Sequence, residues 1–148
     1  MVNLASPDLT QHPPRSVRVR LGGYAHLPRL LDKARAFAAG KQGEYHYNCP
    51  MDKHFFAFTG IDSEAMLTAV KASKSDTEIL AWVATHTKRL PYEIAQWSSW
   101  LEAHGPKSVG GHVWLSETVK KAGPDREDVM SFSDLLDLDD YASYGGKG

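Results

Sequence analysis

The chain holds a single cysteine, Cys49, almost no net charge, no long apolar run and no stretch of alternating β-branched residues. Each absence excludes something. One cysteine cannot close an internal disulfide, and no charged-then-apolar leader opens the chain, so a cytoplasmic setting is expected. A formal charge of -1 over 148 residues provides no general attraction to nucleic acid. No apolar run approaches the ~18 residues of a membrane span, so no membrane partner is expected. The phosphate-binding patterns G-x-G-x-x-G and G-x-x-x-x-G-K-[ST] are missing as well. The tail Gly145-Gly146-Lys147-Gly148 has no helix after it whose N-terminus could hold a phosphate.

What is present reads as an all-α protein: one compact domain over residues 1–148, with five or six short helices and an extended N-terminal arm. Pro7, Pro13 and Pro14 keep residues 1–20 from forming a continuous helix and make them the arm. Gly22-Gly23 then allows a sharp turn, in either a short extended piece or a turn of helix. The helical core spans 28–141 and a tail of 142–148 follows. Its first helix runs from about Pro28 to Ala39, with Leu27, Leu30, Leu31, Ala34, Phe37 and Ala38 on one face and Gly40 behind it. Arg29, Asp32, Lys33 and Arg35 occupy the other face, expected to be solvated and locally paired. Asp62 caps a helix over 63–72, Ser75 and Glu78 form a capping box, and Pro91 opens a helix that Gly105-Pro106 ends. Trp82, Trp97 and Trp100 read as core aromatics. Gly110-Gly111 is expected to break the chain before the next helix, and Ser133 to cap a last acidic one on which Asp134 and Asp137 share a solvated face.

The residues with most chemistry gather between Gly43 and Asp62: the cysteine, two histidines, two tyrosines and three phenylalanines. Pro50 suits a first helical turn, and Met51, Phe55 and Phe58 recur at helical spacing, which puts Cys49 at a helix N-terminus. Unpaired N-H groups and the positive end of the helix dipole collect there and favour a thiolate. Cys49 is thus a candidate nucleophile and His46 its proton partner, against the plainer reading of Cys49 as a small buried apolar residue. Tyr45, Tyr47, Arg29, Arg20 and Asp52 complete a candidate pocket for a small polar or anionic ligand. A metal held by His46, Cys49, Asp52 and His54 is disfavoured, because Asp52 and His54 project to different sides of one helix, so no metal is expected. No cofactor is indicated. His12, His26, His86, His104 and His112 are scattered and read as surface or packing residues.

Several segments carry a resemblance. Gly43-Glu44-Tyr45-His46-Tyr47-Asn48-Cys49, Phe55-Phe56-Ala57-Phe58, Thr59-Gly60-Ile61-Asp62 and Leu135-Leu136-Asp137-Leu138-Asp139-Asp140-Tyr141 resemble a family of small bacterial proteins described as a domain of unknown function. Leu21-Gly22-Gly23-Tyr24 and Asp32-Lys33-Ala34-Arg35-Ala36 resemble its opening. The resemblance implies a single cytosolic domain and transfers no activity. A small-molecule binder with thiol chemistry is therefore the expectation, and an interaction module that docks a protein through its arginine-bearing arm and acidic tail is the alternative.

Overall fold

The computed structural model describes residues 5–73 and 75–146. The first four residues of the arm and the last two of the tail lie outside them. The described residues form a short hairpin and seven helices, more than the five or six expected. The hairpin pairs β1 (Arg20–Leu21) with β2 (Tyr24–Ala25) in antiparallel register, Arg20 opposite Ala25 and Leu21 opposite Tyr24. Gly22 and Gly23 make its turn at φ 58° and 83°, a left-handed conformation that two consecutive side-chain-bearing residues would adopt only under strain. Of the two forms open to Leu21-Gly22-Gly23-Tyr24, the chain takes the extended one.

The helices are α1 (Leu27–Ala38), α2 (Pro50–Thr59), α3 (Ser63–Ala72), α4 (Asp76–His86), α5 (Pro91–Ala103), α6 (Val109–Ala122) and α7 (Phe132–Ser143). Their ends follow capping chemistry. Asp62 accepts a hydrogen bond from the Ala65 N-H, and Ser75 accepts one from Glu78, as the sequence indicates. Two ends differ from expectation. Ser108 caps α6 by accepting from the Gly111 N-H, so Gly110 and Gly111 lie inside the first turn. A Cβ on Gly111 would come 3.1 Å from Pro106 Cβ and 3.2 Å from Ser108 Oγ, so glycine permits a tight first turn here. In α7 the cap is Ser131, which accepts from the Asp134 N-H, while Ser133 is buried.

One helix organises the rest. Every residue of α1 from Leu27 to Ala36 is buried. Its apolar face meets Tyr24, Phe55, Met66, Val70, Ile79 and Val83 in the main core, where Phe58 stacks on Trp97 at 4.9 Å. Trp97 therefore joins the core, but Trp100 remains exposed. Phe37, expected on the buried face, is exposed because it lies beyond the last covered turn.

The charged face of α1 is the larger departure. Arg29, Asp32, Lys33 and Arg35 are each at most 5% exposed, so the face expected to be solvated is internal. Their partners come from other elements rather than from the helix itself. Arg15 of the arm forks onto Asp32 through Nε at 3.0 Å and Nη2 at 2.9 Å, and its backbone N-H reaches the same carboxylate. Arg15 and Arg35 then share Asp76 at the start of α4, at 2.8 and 2.7 Å. Arg29 pairs with Asp140 of α7 at 2.6 Å, and Lys33 with Asp52 of α2 at 2.9 Å.

The arm is thereby held down. Leu9 and Val17 are buried, the Leu9 N-H donates to the Lys41 carbonyl, and Ser16 donates to Asp137. Arg18 bonds Asp134 and lies 3.4 Å from Asp137, so the two carboxylates expected to be solvated meet an arginine. Removing one member of a buried pair strands the other, which typically costs about 3–5 kcal/mol. Asp32→Ala is accordingly expected to destabilise the fold by about 3 kcal/mol in urea unfolding, whereas a change under ~1 kcal/mol would mean that Arg15 does not depend on this carboxylate.

Candidate functional site

The site begins with a backbone constraint. His26, the residue before α1, adopts φ 69°, unusual for a side-chain-bearing residue, and its N-H is held by the Val17 carbonyl at 2.8 Å. Its imidazole is fully buried. On the facing element, Asn48 at φ 64° turns the chain into α2, with Cys49 as N-cap, Pro50 in the first turn and Asp52 at the third helical position. The spacing of Pro50, Met51 and Phe55 that predicts this helix also places its N-terminus against α1.

Asp52 is where these pieces converge. Its carboxylate accepts from His26 Nε2 at 2.6 Å, Lys33 Nζ at 2.9 Å, the Asn48 N-H at 2.8 Å and the Cys49 N-H at 3.3 Å. Burial works against its ionisation, but the His26 hydrogen bond and the Lys33 charge outweigh it and hold the carboxyl at about 2. His26 is pushed the other way: burial lowers its pKa despite the Asp52 partner. At neutral pH the arrangement is a carboxylate, an ammonium and a neutral imidazole. Because a carboxylate only accepts, the His26 proton sits on Nε2, which leaves Nδ1 with a lone pair and no partner.

Lys33 completes the cluster. Its ammonium donates to Asp52, to the His46 carbonyl at 3.0 Å and to the Cys49 sulfur at 3.0 Å. The three N-H groups of the ammonium are thus accounted for. A His26 ring nitrogen, the Cys49 sulfur and an Asp52 oxygen lie within 4.8 Å of one another, an imidazole-thiolate-carboxylate set of the kind that zinc accepts. An ammonium already contacts two of the three groups, however, and supplies the positive charge that a metal would bring.

This cluster forms one part of the wall of a cavity of about 750 Å³. Leu9, Met51, Phe132, Leu135 and Leu136 supply apolar lining, while His26, Arg29, Lys33, Tyr45, His46 and Cys49 supply polar groups. Tyr45 donates from its hydroxyl to Asp140 at 2.7 Å, and the Arg29 guanidinium lies 5.5 Å from the centre of its ring. Burial and the neighbouring Asp140 raise the Tyr45 pKa, so the phenol stays protonated. At another part of the wall His54 meets His104 at 5.1 Å, with Trp100 stacked on His104 at 4.5 Å.

Of the residues singled out from sequence, Cys49, His46, Tyr45 and Arg29 meet at this cavity. Three do not line it. Tyr47 turns away, stacking on Phe37 at 6.2 Å and donating to the Ser63 carbonyl. Arg20 lies on the hairpin, paired with Glu102 at 3.1 Å. Asp52 is fully buried as the anchor of the cluster. The group bonded to the cysteine sulfur is Lys33 rather than His46, whose imidazole is exposed.

Sequence reading overlooked His26 and Lys33. For Lys33 a signal existed: Arg29 and Lys33 fall at i and i+4 on one face of α1, whereas His26 precedes the helix and carries no such pattern.

The linkage has a definite sign. A depressed histidine pKa means that the unfolded chain takes up a proton from about pH 6.5 downward while folded His26 resists, so stability falls as pH drops below that value. Asp52 adds a further loss from pH 3.8 towards about 2. His26 alone contributes a slope of at most ~1.4 kcal/mol per pH unit. Urea titrations between pH 7 and 5 should show this loss in the parent chain and a flatter profile in His26→Gln. Equal slopes would contradict the buried neutral imidazole.

Among the described residues no helix is long and apolar enough to cross a membrane. No curated protein matches the chain. Residues 11–142 match the family described as Domain of unknown function (DUF5069), and on that match, which covers most of its length, the chain belongs to this family.

Proposed function

We propose that the protein binds a small molecule with an apolar body and a polar or anionic end in the cavity between α1, α2 and α7, where Cys49 serves as a reactive thiol. The observation that carries this reading is the Lys33 ammonium, 3.0 Å from the Cys49 sulfur on the wall of a cavity of about 750 Å³. That volume suits a ligand of drug size, and the mixture of apolar lining with a few convergent polar groups is what ligand sites share.

The polar end of the ligand would lie by Lys33, Cys49 and Tyr45, with Arg29 beside them, and its apolar body against Leu135, Leu136 and Phe132. A hydrogen bond from an ammonium to sulfur is strongest when the sulfur is an anion, and the thiolate is the nucleophilic form of cysteine. Lys33, rather than His46 at the exposed edge of the same cavity, therefore supplies the positive charge beside the sulfur.

Anilinonaphthalene sulfonate, an apolar ring system with one sulfonate, is a suitable probe. It is expected to bind the native protein saturably and to protect Cys49 from iodoacetamide. Ser143→Trp, which places a bulky ring at the cavity wall, should weaken that binding about tenfold, equivalent to ~1.4 kcal/mol. Lys33→Met should slow alkylation of Cys49 about tenfold in protein that still melts cooperatively. Unaltered alkylation in the presence of saturating probe would separate the thiol from the cavity and defeat the reading.

A further inference from the structure

The Lys33 ammonium is clamped onto the Cys49 sulfur. It lies 3.0 Å from Sγ and is held there by two further acceptors, the His46 carbonyl at 3.0 Å and Asp52 at 2.9 Å, which flank the cysteine in sequence on either side. Lys33 is buried, and swinging it away from the sulfur would break those two bonds as well. Cys49 is half-buried. Both residues line the cavity, so a molecule as small as a peroxide reaches the sulfur and the nitrogen together.

We propose that Lys33 and Cys49 are a site of reversible oxidative cross-linking, in which hydrogen peroxide joins Lys33 Nζ to Cys49 Sγ through one oxygen atom. The separation favours that product. A direct sulfur-nitrogen bond would draw the two atoms to covalent length and pull Lys33 off His46 and Asp52, whereas a bridging oxygen spans nearly the distance already present. The surroundings tolerate loss of the Lys33 charge. Asp52 still accepts from His26 Nε2 and from the Asn48 and Cys49 N-H groups, so the buried carboxylate keeps hydrogen-bond donors. With the bridge closed the sulfur is no longer a nucleophile, and the contact that readies Cys49 for a ligand also provides the means to switch it off. That consequence, though not the bridge itself, rests on the reading of Cys49 as a reactive thiol in a ligand cavity.

Two molecules of hydrogen peroxide supply the oxygen and take up four electrons. The thiolate attacks one peroxide oxygen: a sulfur-oxygen bond forms, the oxygen-oxygen bond breaks, and the departing hydroxide takes a proton from the Lys33 ammonium. This leaves a sulfenic acid beside a neutral amine, with one water released. The amine nitrogen attacks the second peroxide, a nitrogen-oxygen bond forms, and a second water leaves. The hydroxylamine oxygen then attacks the sulfenic sulfur and expels a third water, which closes the bridge. Sulfur and nitrogen have each given up two electrons. Two equivalents of a dithiol return the four electrons, both bonds to the bridging oxygen break, and that oxygen departs as water.

The test treats the full-length chain, reduced and then freed of reductant, with hydrogen peroxide. Proteolytic peptides are read by mass, because the four methionines take up oxygen as well. The expected result is a cross-linked pair of the peptides bearing Lys33 and Cys49, about 14 Da heavier than their sum through gain of one oxygen and loss of two hydrogens. Dithiothreitol should return the separate peptides. Iodoacetamide should label Cys49 before oxidation, fail afterwards, and label it again after dithiothreitol. Lys33→Arg, which retains a cation but offers no amine, should form no cross-link, and its Cys49 should go on to the sulfinic acid. Parent protein whose Cys49 is oxidised to sulfenic or sulfinic acid with Lys33 unlinked would overturn the bridge, and protection of the reduced thiol by anilinonaphthalene sulfonate would leave the ligand-site reading standing. A cross-link about 2 Da lighter than the sum would mean a direct sulfur-nitrogen bond and overturn the oxygen bridge. A bridge that forms in protein to which the sulfonate does not bind would uphold the cross-link and remove the ligand cavity.

Discussion

Burial of a charged helix face is the constraint on which this structure depends. A lone ion inside a protein is so costly that it must be paired, and α1 carries Arg29, Asp32, Lys33 and Arg35 into the interior together. Four elements answer them: the arm through Arg15, α4 through Asp76, α7 through Asp140 and α2 through Asp52. The helix therefore does more than fill a core. Each charge specifies which element must lie beside it, so the pairs fix the arrangement even where their net contribution to stability is small.

The same constraint produces the site. Lys33 needs a carboxylate, and the one that meets it stands at the start of α2, three residues after the only cysteine. The turn at Asn48 that delivers Asp52 also delivers the Cys49 sulfur to the ammonium, and His26, at the head of α1, closes the other side of the carboxylate. Charge pairing for stability and placement of the thiol beside an ammonium are thus one event. The same pairing ties the arginine-bearing arm to the acidic last helix within the chain. Arg18 and Ser16 already engage Asp134 and Asp137, and Arg29 engages Asp140.

Much of the fold was legible because helix ends are local chemistry. Asp62, Ser75, Pro91 and the Cys49-Pro50 step each mark a helix start that needs no distant partner to be recognised. The region between Gly43 and Asp62 proved to hold the thiol and one wall of the cavity for the same reason: unusual residue types were concentrated in one stretch. What failed was anything decided by long-range contact. Periodicity showed that α1 has a charged face but not that the arm, α2, α4 and α7 would cover it. His26 looked like one scattered histidine because its partner lies 26 residues away. Tyr47 and Arg20 had suitable chemistry, yet the backbone directs one to the Ser63 carbonyl and the other to Glu102.

At the centre of the cluster is a single electrostatic state: a neutral His26 that carries its proton on Nε2, bonded to an ionised Asp52 between Lys33 and Cys49. Long-range ¹H–¹⁵N correlation spectra of the imidazole nitrogens in the folded protein at neutral pH read that state directly. A protonated Nε2 in a strong hydrogen bond and an unprotonated Nδ1 are expected. A spectrum with protonated Nδ1, or with both nitrogens protonated, would contradict it.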